Sequence, residues 1–298
     1  NDLSTDNFEE VERFQEENQN NSEKKVFNFE KIACDRGFAN EFPCKEYDLL
    51  NWIPLSFFDS ESANDNWGWT DSKSKREFVL QGLNDGLAFL DITDPQKVIY
   101  LGKLLSASDP SDWRDVKIYN DHAFIVSEAS NHGLQVFDLN NLLGSDEFKT
   151  FNEDFIANDF GNAHNIAINT SSGFAYVLGS TLYKGGPVFY DISIPKQPIF
   201  SGGFSDTSYI HDAQIITYKG EDQNYFEKEI LFGSNSDGGE TNQLIILDVT
   251  EKTNPELIST ISYNYGGYTH QGWIDENHRY FYLGDELDEL SMVTKQEL

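Results

Sequence analysis

Residues 164–204 read HNIAINTSSGFAYVLGSTLYKGGPVFYDISIPKQPIFSGGF. This stretch divides into four short apolar runs, namely HNIAIN, FAYVLGS, PVFYDI and PIFSGGF. Gly, Ser, Thr and Pro separate the runs, and these residues favour turns between strands. The stretch therefore predicts one four-stranded antiparallel sheet.

The third run of that sheet recurs along the chain at intervals of about fifty residues, close to the length of a propeller blade. Each copy has apolar residues, then an aspartate, then a turn: LAFLDITDP with Asp91, LQVFDLNNL with Asp138, PVFYDISIP with Asp191 and LIILDVTEKTNP with Asp248. A fifth blade begins with HQGWID and RYFYLGDE. The repeats predict an all-β chain, a β-propeller with about four full four-stranded blades and part of a fifth. We assign residues 31–298 to it and residues 1–30 to an acidic N-terminal extension.

The charge of the chain is strongly negative. The 298 residues include 51 Asp and Glu against 21 Lys and Arg, a net charge of −30. Such a field disfavours nucleic acid and anionic membrane surfaces, whereas divalent cations, cationic partners or simple solubility are compatible with it. No run approaches the roughly 20 apolar residues that a membrane-spanning helix needs.

The chain has two cysteines, Cys34 and Cys44, in CDRGFANEFPC. They are either a disulfide or two buried thiols, and the Gly and Pro between them indicate a surface loop, which favours the disulfide. A disulfide implies an oxidising, extracytoplasmic compartment.

Three strand beginnings carry a histidine followed by a polar residue. With Arg114 they form an expected column at one mouth of the propeller channel: Arg114, His164, His211 and His270. The next residues form a second column of Asp115, Asn165, Asp212 and Gln271, and the returning strands add Glu128, Asn235 and Asp285. Pairing across the hairpin turns is expected to place Arg114 opposite Glu128, with the two side chains forming a charge-assisted pair.

Imidazoles and carboxylates that converge on one axis are ligands for Zn²⁺, Mn²⁺ or another transition ion. The candidate metal ligands are His164, His211 and His270, followed by Asp115, Asp212 and Asp285. Asp-rich turns elsewhere in the chain add Ca²⁺ as a candidate ion. Alternatively, the histidines pack between blades with each imidazole hydrogen-bonded to a carbonyl. We expect the remaining histidines, His122, His132 and His278, in turns or at the surface.

Several stretches resemble the choice-of-anchor B family, whose members carry LVIVD-type repeats. They lie between Cys34 and Glu289: FPCKEYDLL, NDNWGWTD, WRDVKIYNDHAFIVSEASNHGLQVFDL, GNAHNIAIN, YIHDAQ, YTHQGW and DELDEL. The resemblance implies a bacterial secreted or cell-surface β-propeller of six or seven blades that continues past DELDEL. It implies no reaction.

Two functions follow as expectations. The first is a binding or assembly module at the cell surface, with a protein partner or a glycan as its ligand. The second is a metal-dependent hydrolase or lyase at the channel mouth, in which Glu128 or Asp285 acts as general base.

Overall fold

A computed structural model describes residues 25–144, 146–236 and 241–288. Strands make up 48% of the described residues and helix only 5%. The three short 3-10 turns among these residues are Leu55–Phe58, Leu139–Leu142 and Leu182–Gly185. The chain forms two compact units, residues 25–106 with 139–152, and residues 107–138 with 153–288. In the described part of the chain, no helix is long and apolar enough to cross a membrane.

The first unit contains one six-stranded sheet and one hairpin. Strands are numbered along the chain, and those of this unit are β1 (Lys25–Asn28), β2 (Phe38–Ala39), β3 (Phe42–Pro43), β4 (Ala63–Thr70), β5 (Glu77–Leu83), β6 (Gly86–Asp91), β7 (Lys97–Leu105) and β11 (Lys149–Phe151). The sheet follows the order β1-β7-β6-β5-β4, and β11 pairs with β7 in parallel. The core of this unit packs on the sheet around Phe58, Leu83, Leu90 and Tyr100.

The predicted disulfide is confirmed. Cys34 and Cys44 are bonded, with Cα atoms 5.9 Å apart, and the β2–β3 hairpin lies inside the loop that they close. The end of the predicted N-terminal extension is also part of this unit, because β1 pairs with β7. Residues 1–24 of the extension lie outside the described residues.

The second unit contains three four-stranded antiparallel sheets and a two-stranded one. The strands of this unit are β8 (Arg114–Tyr119), β9 (His122–Ser127), β10 (Leu134–Asp138), β12 (Phe155–Ala157), β13 (Asn165–Asn169), β14 (Phe174–Leu178), β15 (Val188–Asp191), β16 (Ile199–Gly203), β17 (Ile210–Thr217), β18 (Glu229–Ser236), β19 (Asn242–Asp248), β20 (Glu256–Ser262), β21 (Thr269–Ile274) and β22 (Phe281–Asp285). They pair in the orders β12-β10-β9-β8, β13-β14-β15-β16, β17-β18-β19-β20 and β21-β22. The four-stranded sheet predicted within residues 164–204 is confirmed as β13 to β16. No sheet closes on itself among the described strands.

Apolar packing holds neighbouring sheets of this unit together. Phe124 and Val136 from one sheet share a fully buried cluster with Ile166, Val177 and Tyr190 from the next. Full burial of one large apolar side chain stabilises the fold by about 1.5–3 kcal/mol. The first strands of these two sheets therefore lie at a fixed distance from each other, which positions the residues at their beginnings.

The recurring aspartates are explained by turn chemistry. The Oδ1 atoms of Asp91, Asp191 and Asp248 each accept a hydrogen bond from the backbone N–H two residues later, at 2.9, 2.9 and 3.1 Å. A carboxylate in this position stabilises the turn that ends the strand. These repeat residues therefore have a structural role.

One predicted pairing is wrong. Arg114 lies opposite Ser127 and not opposite Glu128. The reason is the turn, because Tyr119 pairs with His122 and leaves only Asn120 and Asp121 between the strands, with φ of 46° and 59°. Two residues with positive φ are typical of a tight hairpin turn, which fixes the register one residue away from the expected one.

Candidate functional site

Three strand beginnings in the second unit bring histidines together. His164 immediately precedes β13, whereas His211 lies in β17 and His270 in β21. The pairing of β17 with β18 shifts register between Ile210 and Asp212, so His211 lies at a bulge. His270 lies at the corresponding bulge of the β21–β22 pair. Bulges re-aim a side chain relative to its sheet, and they are frequent beside functional sites.

Close polar contacts link these residues in series. Nδ1 of His164 lies 2.6 Å from Glu128 Oε1, and Nε2 of His164 lies 2.7 Å from Nε2 of His211. Nδ1 of His211 lies 2.9 Å from the backbone oxygen of His270. We call Glu128, His164, His211 and His270 the histidine cluster.

The third ring of the cluster has a different contact. The rings of His270 and His211 have centroids 4.4 Å apart and are inclined by 37°. Nε2 of His270 lies 3.8 Å from Glu286 Oε2. The rings of the three histidines adjoin one another, but only His164 and His211 bring ring nitrogens into direct contact.

Aromatic rings border the histidine cluster. Trp113 and Tyr209 have ring centroids 6.1 and 6.3 Å from that of His164, and Tyr268 has its centroid 5.4 Å from that of His211. Trp113 is half exposed. The side chains of Glu128 and His270 are 36% and 32% exposed, so the cluster is open to solvent on their side. The cluster is a polar site with an aromatic border.

A glycine makes room for His164. Gly179 has φ of +61°, and a Cβ there would lie 2.8 Å from the Cβ of His164 and 3.0 Å from the Tyr209 hydroxyl. Side chains other than hydrogen are disfavoured both by this backbone conformation and by this distance. Gly179 therefore allows the close approach of His164 and Tyr209.

Burial controls the protonation of the central ring. Burial, followed by the neighbouring His164 and His270, lowers the pKa of His211 to about 3, while the hydrogen bond to the His270 carbonyl acts in the opposite direction. Burial also raises the pKa of Tyr209 and of Tyr268, and the negative charge of Glu128 contributes to both shifts. His211 is therefore a neutral imidazole at neutral pH.

The second predicted column has backbone contacts. Asp115 Oδ2 accepts a hydrogen bond from the Ile166 N–H at 2.8 Å, which joins β8 to β13, and its Oδ1 lies 2.6 Å from the Lys117 ammonium. Asp212 Oδ1 accepts from the N–H of Ala213 at 2.7 Å. Of the amides in this column, Gln271 is exposed, and Asn165 has its Oδ1 buried without a hydrogen-bond partner in the described part of the protein.

Asp285 holds a turn. Its carboxylate accepts hydrogen bonds from the Tyr263 hydroxyl at 2.5 Å and from the N–H groups of Gly267, Tyr268 and Leu287 at 2.9, 2.8 and 3.0 Å. Burial would raise the pKa of Asp285, but these four donors outweigh it and hold the pKa below its usual value. Its carboxylate oxygens are thus occupied by these four hydrogen bonds.

Arg114 has a buried histidine partner. Its guanidinium lies 2.9 Å from Nε2 of His132, and both residues are buried. Burial and the charge of Arg114 lower the pKa of His132 to about 4, although a hydrogen bond to the Gly133 carbonyl raises it in part. The expectation that His132 lies at the surface is wrong. Nothing in its polar surroundings, SEASNHGLQ, indicates burial.

Residues 25–144, 146–236 and 241–288 contain no group of three or more His, Cys, Asp or Glu side chains arranged to hold a metal ion. The two facing nitrogens of His164 and His211 are the part of the predicted ligand set that the fold brings into contact.

Comparison with known proteins gives structural similarity only. No family profile matches the chain, and no curated protein matches it. Hydrazine synthase of Kuenenia stuttgartiensis is similar over 78% of this chain and 68% of its own, with 13% identity and a TM-score of 0.46. A protein from Lactobacillus plantarum is similar over 74% of this chain and 59% of its own, with 13% identity and a TM-score of 0.43. The fission yeast SREBP–SCAP binding domains are similar over 83% of this chain and 72% of theirs, with 7% identity and a TM-score of 0.45.

Proposed function

We propose that this chain is an extracytoplasmic binding module, secreted or held at the cell surface, and that the histidine cluster is its ligand site. The Cys34–Cys44 disulfide supports an oxidising compartment. The succession of four-stranded antiparallel sheets supports the β-propeller, and the resemblance to the choice-of-anchor B repeats supports both the fold and the location.

One observation carries the assignment of the site. Three separate sheets contribute His164, His211 and His270, and two of these histidines lie at bulges that turn their side chains. Convergence of polar groups from several strands, with aromatic rings around them and an opening to solvent, is the usual form of a ligand site on a rigid β scaffold. A purely structural role would require only that each ring bond its own neighbouring backbone.

The same contacts argue against hydrolysis. A general base must have a free lone pair within reach of the proton that it removes. Oε1 of Glu128 is bonded to His164, and the carboxylate of Asp285 accepts four hydrogen bonds from its own turn. The lone pairs of Asp285 are thus occupied and Glu128 positions His164, so we favour binding over a hydrolase or lyase.

The partner is a protein at the cell surface. The net charge of −30 repels other acidic surfaces, so the partner's contact surface is neutral or basic. The half-exposed Trp113 beside His164 offers the kind of aromatic contact that is enriched in protein interfaces.

Binding of the fluorescently labelled chain to intact cells of the source organism, measured by flow cytometry, tests this proposal. We expect saturable binding that the double variant His164→Gln/His211→Gln loses and that His122→Gln, a histidine variant outside the cluster, retains. Circular dichroism verifies that the variants fold. Absence of saturable binding by the unmodified chain overturns the binding module, and unchanged binding by the folded double variant overturns the assignment of the site.

A further inference from the structure

The imidazole rings of His164 and His211 carry their protons on the same ring nitrogen. Nδ1 of His164 lies 2.6 Å from a carboxylate oxygen of Glu128, and Nδ1 of His211 lies 2.9 Å from the carbonyl oxygen of His270. A carboxylate and a carbonyl can only accept a hydrogen bond. Each Nδ1 therefore carries the proton of its ring, and each Nε2 of a neutral ring carries a lone pair.

These two lone pairs face each other. The Nε2 atoms of His164 and His211 are 2.7 Å apart, within hydrogen-bonding distance, yet with one proton per imidazole, held on Nδ1, neither Nε2 has a proton to donate. Two acceptors at this distance repel. The arrangement is stable only with a positive centre between them, which is either an additional proton or a metal ion.

We propose that the histidine cluster binds a divalent transition-metal ion through Nε2 of His164 and Nε2 of His211. This inference rests on the proposed function, since it names the first component of the ligand at that site. Imidazole nitrogen suits Zn²⁺, Cu²⁺ or Ni²⁺, whereas Ca²⁺ and Mg²⁺ require oxygen ligands. Solvent or a ligand from the partner completes the coordination.

The distances require only a small adjustment. Two nitrogens that bind one tetrahedral Zn²⁺ at about 2.0–2.1 Å are about 3.3 Å from each other. The present separation is 2.7 Å, so each ring has to withdraw by about 0.3 Å.

The outer contacts are those of a metal site. A metal-bound histidine almost always donates its other N–H to a carboxylate or a backbone carbonyl, which fixes the ring orientation. Glu128 provides the carboxylate for His164, and the His270 backbone provides the carbonyl for His211. The ring of His270 itself lies toward Glu286, so we assign it no coordinating role in this arrangement.

Isothermal titration of the full, untagged chain with ZnCl₂ at pH 7.5, after removal of metal by a chelator, tests the proposal. We expect one equivalent of Zn²⁺ per chain. His164→Gln and His211→Gln should each abolish this binding, Glu128→Gln should weaken it by about 10-fold or more, and His122→Gln should leave it unchanged. With Cu²⁺ as the probe, electron paramagnetic resonance should show coupling to two nitrogens.

Two results would overturn the metal site. The first is the absence of one-equivalent binding, in which case a proton is the positive centre between the rings. The second is binding of the same stoichiometry and affinity by both folded histidine variants, which places the ion elsewhere on the acidic surface. A chain that binds cells but no metal loses only the metal site, whereas a chain that binds metal but no cells loses the proposed function.

Discussion

Nε2 of His164 and Nε2 of His211 lie 2.7 Å apart although 47 positions separate the two residues in the chain. Two different sheets supply the two rings, and these sheets share a buried apolar cluster that includes Leu178 and Ile210. The contact gives the histidine cluster its chemistry, because it directs two ring nitrogens at one point in space.

The tautomers of these two rings are directly measurable. In the metal-free chain at pH 7.5 we expect nitrogen-15 NMR of the imidazoles to show protonated Nδ1 in both His164 and His211. Glu128→Ala should release this constraint for His164 only, because Nδ1 of His211 is held by a backbone carbonyl that the substitution leaves in place. A protonated Nε2 with an unprotonated Nδ1 in the unmodified His211 would contradict the hydrogen-bond assignment.

Gly179→Ala should damage both stability and the site. A non-glycine residue in the left-handed conformation costs about 1–2 kcal/mol, and the added Cβ would lie 2.8 Å from that of His164. We expect a lower urea midpoint and weaker Zn²⁺ binding. Gly68→Ala is the matched control, because a Cβ at Gly68 meets nothing within 4 Å. Equal behaviour of the two variants would show that the close approach at Gly179 has no importance.

His132 should make the second unit less stable in acid. Its pKa is about 4 in the folded chain, against the usual 6.5, because burial and the adjacent Arg114 oppose its protonation. The unfolded chain therefore takes up a proton as the pH falls below 6.5, while the folded chain does not until the pH approaches 4. The free energy of unfolding should fall by about 2–3 kcal/mol between pH 7.5 and 4.5 from this residue alone.

The variant His132→Gln isolates that contribution. Urea unfolding at pH 7.5 and 4.5 measures the loss of stability in each protein, and the carboxylates contribute equally to both. We expect a loss that is about 2–3 kcal/mol smaller in the variant. An identical pH dependence in the two proteins would show that His132 is protonated equally in the folded and unfolded states.

The disulfide should stabilise the first unit. It closes a loop with a sequence separation of 10, and loop-closure entropy gives about 3 kcal/mol for a loop of this size. We expect Cys34→Ser/Cys44→Ser to lower the urea midpoint of this unit, and dithiothreitol to do the same to the unmodified chain. Dithiothreitol should have no effect on the double variant. An unchanged midpoint after verified reduction would contradict this role.

Much of the fold could be predicted from sequence because its signals are local. Turn residues and apolar runs predicted the sheet β13–β16, and the same pattern predicted that His164, His211 and His270 occupy corresponding strand beginnings. The predicted pairing of Arg114 with Glu128 was wrong for an equally local reason. The two-residue turn at Asn120 and Asp121 shifts the register by one residue, and a sequence alone does not reveal where the turn begins.

The chemistry of the site could not be predicted in this way. The bulges at His211 and His270 break the alternation of side chains on which sequence reasoning depends. The contact between Glu128 and His164 joins residues 36 positions apart, and it forms only when two sheets pack together. The burial of His132 likewise depends on tertiary packing.

The most direct test of the central claim is the position of a bound ion. Crystals of the full chain soaked in ZnCl₂, with anomalous diffraction data collected at the zinc edge, locate it without assumptions. We expect one peak between His164 and His211, about 2.0–2.1 Å from each Nε2. Anomalous peaks only at surface carboxylates, with the two imidazoles still 2.7 Å apart, would contradict the histidine cluster as a metal-binding site.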